Sequence, residues 1–102
     1  MITFLKNLFK PSADLTLLIK QGALVVDVRT MIEYKSGHIS GSKNIPLNSL
    51  KNNVQSLKQL NKPIITVCQS GGRSSMAKSI LQSAGLEVYN GGGWRSLQNK
   101  IQ

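Results

Sequence analysis

Acidic residues are scarce in this chain. Four stand against 13 lysines and arginines over 102 residues, a formal net charge of +9. A single cysteine means that no disulfide can close within the chain, which fits a reducing compartment. The single histidine leaves no cluster for a metal site, and no metal or organic cofactor is expected. No apolar run approaches the roughly 20 residues of a transmembrane helix. The stretch from Met1 to Lys10 is apolar, but Lys6 and Lys10 interrupt it and no small-residue cleavage site follows, which argues against a signal peptide. A cytoplasmic protein with no membrane segment is expected. The basic excess favours anionic substrates or an acidic protein partner. Its lysines (Lys20, Lys35, Lys43, Lys51, Lys58, Lys62 and Lys78 among them) are scattered, without long runs or an aromatic platform for bases, so nucleic acid is not the expected partner.

What the chain does have is an alternation of short β-branched runs and helix-period segments. Its length suits one domain, assigned to residues 12–102. Residues 1–11 are set apart as an N-terminal segment for which a strand, a small helix and loose chain all fit. Ser12 is placed to cap a short helix carrying Leu15, Leu18 and Ile19, with Asp14 in its first turn and Gly22 at its end. Ala23 to Val28 reads as a strand covered on both faces. Thr30-Met31-Ile32-Glu33 is a capping-box pattern, and a short strand follows around Ser42 to Ile45. Ser49 is placed to cap a helix with Leu50, Val54 and Leu57 on one face, closed by Asn61 and Pro63. Pro63 to Val67 is a buried strand, followed by a helix from Ser74 to Ala84. Leu86 to Tyr89 gives a last strand, Gly91 to Gly93 a flexible turn, and Trp94, Leu97 and Ile101 line a final helix. Such an alternation predicts an α/β domain whose mainly parallel sheet is flanked by helices.

The cysteine stands at a special point in this pattern. Cys68-Gln69-Ser70-Gly71-Gly72-Arg73 links the end of the most apolar strand to the start of a helix. Ligands in parallel sheets sit at the carboxyl ends of strands. A Gly-containing loop there turns several backbone N–H groups toward one point, and the helix dipole adds partial positive charge. A thiolate is stabilised in that position, so Cys68 is expected to have a lowered pKa and to act as a nucleophile.

Three motifs together resemble the single-domain rhodaneses, a family of sulfurtransferases. They are Val26-Asp27-Val28-Arg29 with Glu33-Tyr34 and Gly37-His38-Ile39; Gly41 to Pro46; and the Cys68 loop with Val88 to Trp94. The resemblance runs from about Leu15 to Ile101. It implies a three-layer α/β/α domain and a ping-pong reaction. Cys68 would take a sulfane sulfur from thiosulfate or another persulfide donor and hand it to cyanide or a thiol acceptor. The amides of Gln69, Ser70, Gly71, Gly72 and Arg73 would hold the negative charge, and Gly71 and Gly72 leave room for the added sulfur. Cysteine-based phosphatases on this fold carry one more residue between Cys and Arg than the four here, so phosphate-ester hydrolysis is the weaker alternative. A sulfur-relay or binding module docking an acidic partner is the other.

Each candidate also has a plainer reading. Arg73 at a helix start opposes the dipole, which points to a forked hydrogen bond to an anionic donor. Gln69 stands where many of the family carry arginine, which removes one cation from the loop. Ser74 serves as helix cap or sulfur contact. Asp27, Arg29 and Glu33 match a supporting cluster that orients the loop, with an Arg29–Glu33 pair within easy reach. His38 belongs to a structural turn, and Trp94 is a packing anchor for the last helix.

Overall fold

The computed structural model describes residues 13–102. The N-terminal segment 1–11 and Ser12 lie outside the described residues. The elements are α1 (Leu15–Lys20), β1 (Leu24–Asp27), α2 (Met31–Lys35), β2 (Lys43–Asn44), a 3-10 helix (Leu47–Asn53) continuing into α3 (Val54–Leu60), β3 (Ile64–Cys68), α4 (Gly72–Ser83), β4 (Val88–Gly93) and α5 (Trp94–Ile101). The strands form one parallel sheet in the order β2-β1-β3-β4.

Successive strand residues face opposite sides of the sheet, and both sides are covered. Val26, Val28, Ile64 and Cys68 pack with Leu50, Leu57, Ala77 and Leu81 under the 3-10 helix, α3 and α4. Val25, Ile65 and Val67 pack with Trp94 and Leu97 of α5, joined by Leu15, Leu18 and Ile19 of α1. The result is the expected three-layer α/β/α arrangement. All five residues of β3 are buried, which is why Ile64 to Val67 reads as a β-branched run without charge, Thr66 being its one polar residue.

Local signals set several boundaries. Thr30 Oγ accepts from Glu33 N–H and the Glu33 carboxylate accepts from Thr30 N–H, the reciprocal capping box that opens α2. Asn61 ends α3 in the left-handed conformation, at φ 52°. Three expectations need correction. Asp14 is the cap of α1, accepting from Leu17 N–H at 3.1 Å. Ser49 caps nothing: Pro46, held at φ −53°, starts the 3-10 helix earlier, and Ser49 lies inside it with its N–H on the Pro46 carbonyl at 2.8 Å.

The third correction bears on the site. The triple glycine is strand rather than flexible turn, since β4 runs through to Gly93. Asn90 pairs with Thr66 and Gly92 with Val67, so Gly91 is an extra residue at a register shift. Glycine is needed there for close approach. A Cβ on Gly91 would sit 2.8 Å from Ile65 Cγ2 and 2.9 Å from Val67 Cγ1, and one on Gly93 would sit 3.0 Å from the Gln69 carbonyl oxygen. β4 is thereby pressed against β3 and against the underside of the cysteine loop. Gly91→Ala is expected to destabilise the fold by about 1–3 kcal/mol through overpacking. A denaturant midpoint unchanged by that substitution would show that β3 gives way without strain.

Candidate active site

Cys68 ends β3, and its side chain is turned into the core beneath the loop, 1% exposed. Gly71, at φ 108°, bends the chain in a conformation that favours glycine. That bend brings the Gly71 N–H to 3.0 Å from Cys68 Sγ, and the first turn of α4 places the Ser74 N–H at 3.4 Å. Ser74 Oγ lies 3.5 Å from the sulfur. Burial pushes the thiol up, but the Ser74 hydroxyl and the amides of Ser74, Gly71 and Ser70 pull harder, and the net shift is downward. Gln69 and Ser70 are exposed at the crown of the loop, while Ser74 is fully buried and, contrary to the capping expectation, lies inside α4, whose N-cap is Gly71 with no side-chain cap.

Ser74 is itself held from several sides. Thr66 Oγ donates to its carbonyl at 2.8 Å. Its hydroxyl is 3.0 Å from the Gly71 carbonyl and 2.7 Å from Asn90 Oδ1. Asn90 was not singled out among the sequence candidates. Its only sequence signal is its place just before the glycine run, and the contact with Ser74 spans strand and helix.

Arg73 does not point freely into the loop. Its two terminal nitrogens form a forked pair with Glu33 of α2, at 2.7 and 2.9 Å. Arg73 and the Thr30 N–H together hold the Glu33 carboxyl down at about 2, against the effect of burial. The folded value lies below the unfolded one, so the pair contributes its stability above about pH 4.5 and loses it as the pH falls toward 2. Both side chains remain about one-third exposed, which keeps the contribution small. Glu33→Gln is expected to flatten the acid limb of the stability curve over that window and to leave neutral-pH stability within about 1 kcal/mol. An acid limb identical to that of the unsubstituted chain would mean that the pair contributes nothing.

The expected Arg29–Glu33 side-chain pair is not formed. The nearest partner wins: Arg29 forks onto Asp27, with Nη2 on Oδ2 at 2.7 Å and Nε on Oδ1 at 3.0 Å, and both residues are buried. The same guanidinium donates to the Gly37 carbonyl at 2.7 Å and the Glu33 carbonyl at 3.2 Å, and lies 4.7 Å from the centre of the Trp94 ring. Arg29 therefore ties the end of β1 to the middle of α2 and to the turn just beyond it, and α2 carries the carboxylate that grips Arg73. Trp94, 6% exposed, anchors α5 in the core. His38 is exposed, stacked on Tyr34 with ring centres 3.7 Å apart, and its Nδ1 contacts the Tyr34 carbonyl. None of its hydrogen bonds reaches the loop. Beside Arg73 opens a mainly apolar cavity of about 300 Å³, lined by Val28, Thr30, Pro46, Leu47, Asn48 and Arg73.

A cysteine ends the strand, Gly71 turns the loop, and the N–H groups of Gly71, one of the five expected, and of Ser74, outside that set, face the sulfur. The family model for the rhodanese-like domain matches residues 12–100. The chain belongs to the rhodanese-like domain family. Among curated relatives it is similar to the uncharacterized protein YqhL of Bacillus subtilis, 38% identical over 82 residues, 78% of this chain and 64% of that protein. It thus spans just under two thirds of that relative's length. It is also similar to the thiosulfate sulfurtransferase GlpE of Pseudomonas fluorescens, 35% identical over 91 residues, 84% of this chain and 83% of that one. Among solved structures it resembles a rhodanese-related protein from Thermoplasma volcanium, with a TM-score of 0.73 and 33% identity over 85% of this chain and 86% of that one. Among the described residues of this rhodanese-like domain, no helix is long and apolar enough to cross a membrane.

Proposed function

We propose that this rhodanese-like chain is a sulfurtransferase that carries sulfane sulfur as a persulfide on Cys68. The observation that supports it most is the pair of backbone N–H groups on Cys68 Sγ, at 3.0 and 3.4 Å, where α4 begins. They favour the thiolate, which is the nucleophile. Attack on the outer sulfur of thiosulfate forms a Cys68 S–S bond and breaks the donor's S–S bond, and sulfite leaves with the electron pair. Cyanide or a thiolate then bonds to the outer sulfur of the persulfide. The remaining S–S bond breaks, and its electron pair returns to Cys68 Sγ. Thiocyanate or an acceptor persulfide departs.

The amides of Gln69 to Arg73 hold the charge of the incoming donor and of the persulfide. Arg73 adds positive charge beside them. Because Glu33 occupies both of its terminal nitrogens, the amides carry most of the anion binding and Arg73 contributes through its remaining N–H groups. The mainly apolar cavity beside Arg73 supplies room for an acceptor.

Docking of an acidic carrier is supported by the charge balance. All four acidic residues are engaged: Asp14 caps α1, Asp27 holds Arg29, Glu33 holds Arg73, and Glu87 accepts from the Tyr89 hydroxyl. Among the described residues only Arg29 and Arg73 have a carboxylate partner, so the scattered lysines present an unbalanced positive surface. A lone thiol kept reduced suits action in the cytoplasm.

Intact mass after incubation with thiosulfate tests the reading. A species one sulfur atom heavier, mapped to Cys68 and removed by cyanide, is expected. No adduct with thiosulfate or with any other sulfane donor overturns it.

A further inference from the structure

The contact between Ser74 and Asn90 has a direction that the hydrogen-bond geometry fixes. Asn90 Oδ1 faces two groups, the Gly92 N–H at 2.9 Å and the Ser74 hydroxyl at 2.7 Å. The Gly92 N–H can only donate, so the Asn90 atom it meets is the acceptor oxygen and not the amide nitrogen. The Asn90 Nδ2 accordingly lies on the Gly71 carbonyl side, at 3.5 Å. An oxygen already committed as acceptor can only accept from Ser74. The single proton of the Ser74 hydroxyl therefore points at Asn90, with the Gly71 carbonyl as a second acceptor at 3.0 Å. The lone pairs of Ser74 Oγ are then left for the sulfur, 3.5 Å away, where they accept from a protonated thiol.

A thiolate reverses that demand. It has no proton to give, and it draws donors. Among the described residues, the hydroxyl within reach of the sulfur is that of Ser74, whose backbone N–H already faces it. We propose that the Ser74 hydroxyl is a two-position donor: it rests on Asn90 while Cys68 is protonated or carries a sulfur, and turns to Cys68 Sγ when that atom is anionic. Asn90 is thus a positioning residue that competes with the sulfur for one proton, without touching it. In the sulfurtransferase reading, on which this part rests, the turn occurs as the acceptor takes the outer sulfur and the electron pair of the broken S–S bond arrives on Cys68 Sγ.

Among the described residues the charges on the elements around the loop are few; α5, which follows Gly93, carries Arg95 over the Trp94 ring. From α4 the loop is faced by Arg73, paired with Glu33 of α2; from β1 by Asp27, paired with Arg29. β4 contributes no charge, and the 3-10 helix contributes only the exposed Lys51. Lys78, further along α4, shares with Asn90 a cavity of about 230 Å³.

The test is the rate of Cys68 alkylation by iodoacetamide as a function of pH, followed by intact mass on the full chain. Ser74→Ala removes the donor and is expected to move the midpoint up. Asn90→Ala removes the nearer of the two competing acceptors, leaving the Gly71 carbonyl at 3.0 Å, and is expected to move it down by about half a unit to one unit, the size of one modest hydrogen bond. In the Ser74→Ala background, Asn90→Ala is expected to produce no shift. Equal shifts with and without Ser74, or no shift in either, overturn the proposal, because a purely structural or electrostatic role does not depend on the Ser74 hydroxyl. Should Asn90→Ala fail to fold, Asn90→Asp serves: the stronger acceptor is expected to raise the midpoint more with Ser74 present than without it, and equal rises overturn it. Alkylation needs no sulfur donor. Absence of a persulfide in the thiosulfate experiment would remove the sulfurtransferase reading and leave this result standing.

Discussion

Cys68→Ser is expected to end sulfur loading altogether while leaving the domain folded. The two halves of that result have separate causes. A serine hydroxyl in place of the thiol is too weakly acidic to ionise under the pull of two backbone amides and a neighbouring hydroxyl, and it has no polarisable sulfur with which to attack. Loading therefore falls to background rather than by a modest factor. The fold survives because the substitution changes one atom at a site that already supplies donors. The Gly71 N–H at 3.0 Å and the Ser74 N–H at 3.4 Å serve an oxygen as they serve the sulfur. The cost of placing a hydroxyl among Val26, Ala77 and Leu81 is then about 1–2 kcal/mol, small against the roughly 5–15 kcal/mol of a domain this size. Mass spectrometry after thiosulfate treatment reads the first half, and a denaturant melt reads the second. A sulfur adduct on the variant would move the carrier role away from Cys68.

The largest loss of stability is expected at Arg29→Ala, although Arg29 makes no contact with the sulfur. Truncation leaves the Asp27 carboxylate, 0% exposed, without its counter-charge in the interior. It also removes the donors to the Gly37 and Glu33 carbonyls and the guanidinium from the Trp94 face. Breaking one partner of a buried pair in this way costs about 3–5 kcal/mol. The same change frees α2 from β1, so the Glu33 carboxylate no longer holds Arg73 in a fixed place. Urea unfolding checks the stability, and a loss under about 1 kcal/mol would mean that Asp27 finds other donors. Asp27→Asn is expected to be costly for the same reason, since it leaves the buried Arg29 guanidinium without its counter-charge and sets an amide NH2 against one of its donors.

These two residues mark how far local sequence carries. Cys68 was legible because its signals are contiguous: a β-branched run, a cysteine, glycines and a helix-period segment follow one another within a few residues. The capping box at Thr30 and Glu33 was legible for the same reason, and it is present in full. The roles of Arg73 and Asn90 were not. Arg73 meets Glu33 across 40 positions, and nothing in either neighbourhood announces the other. Glu33 also looked fully employed as a capping acid, yet Oε1 serves the Thr30 N–H and Arg73 at once. The glycine run misled because glycine signals both freedom and tightness. Only the Ile65 and Val67 methyls, a few tenths of an ångström too near for any Cβ on Gly91, decide for tightness.

The sequence by itself determined the alternation of strands and helices, the place of the thiol at a strand end and the identity of the loop that faces it. Hydrophobic period, glycine and caps act over a few residues, so they are written locally. Tertiary structure alone decided which charges pair, which hydroxyl faces the sulfur and why β4 carries glycines. Those outcomes follow from distances between side chains brought together by the parallel sheet, and such distances exist only once β1, β3, β4 and α4 have packed.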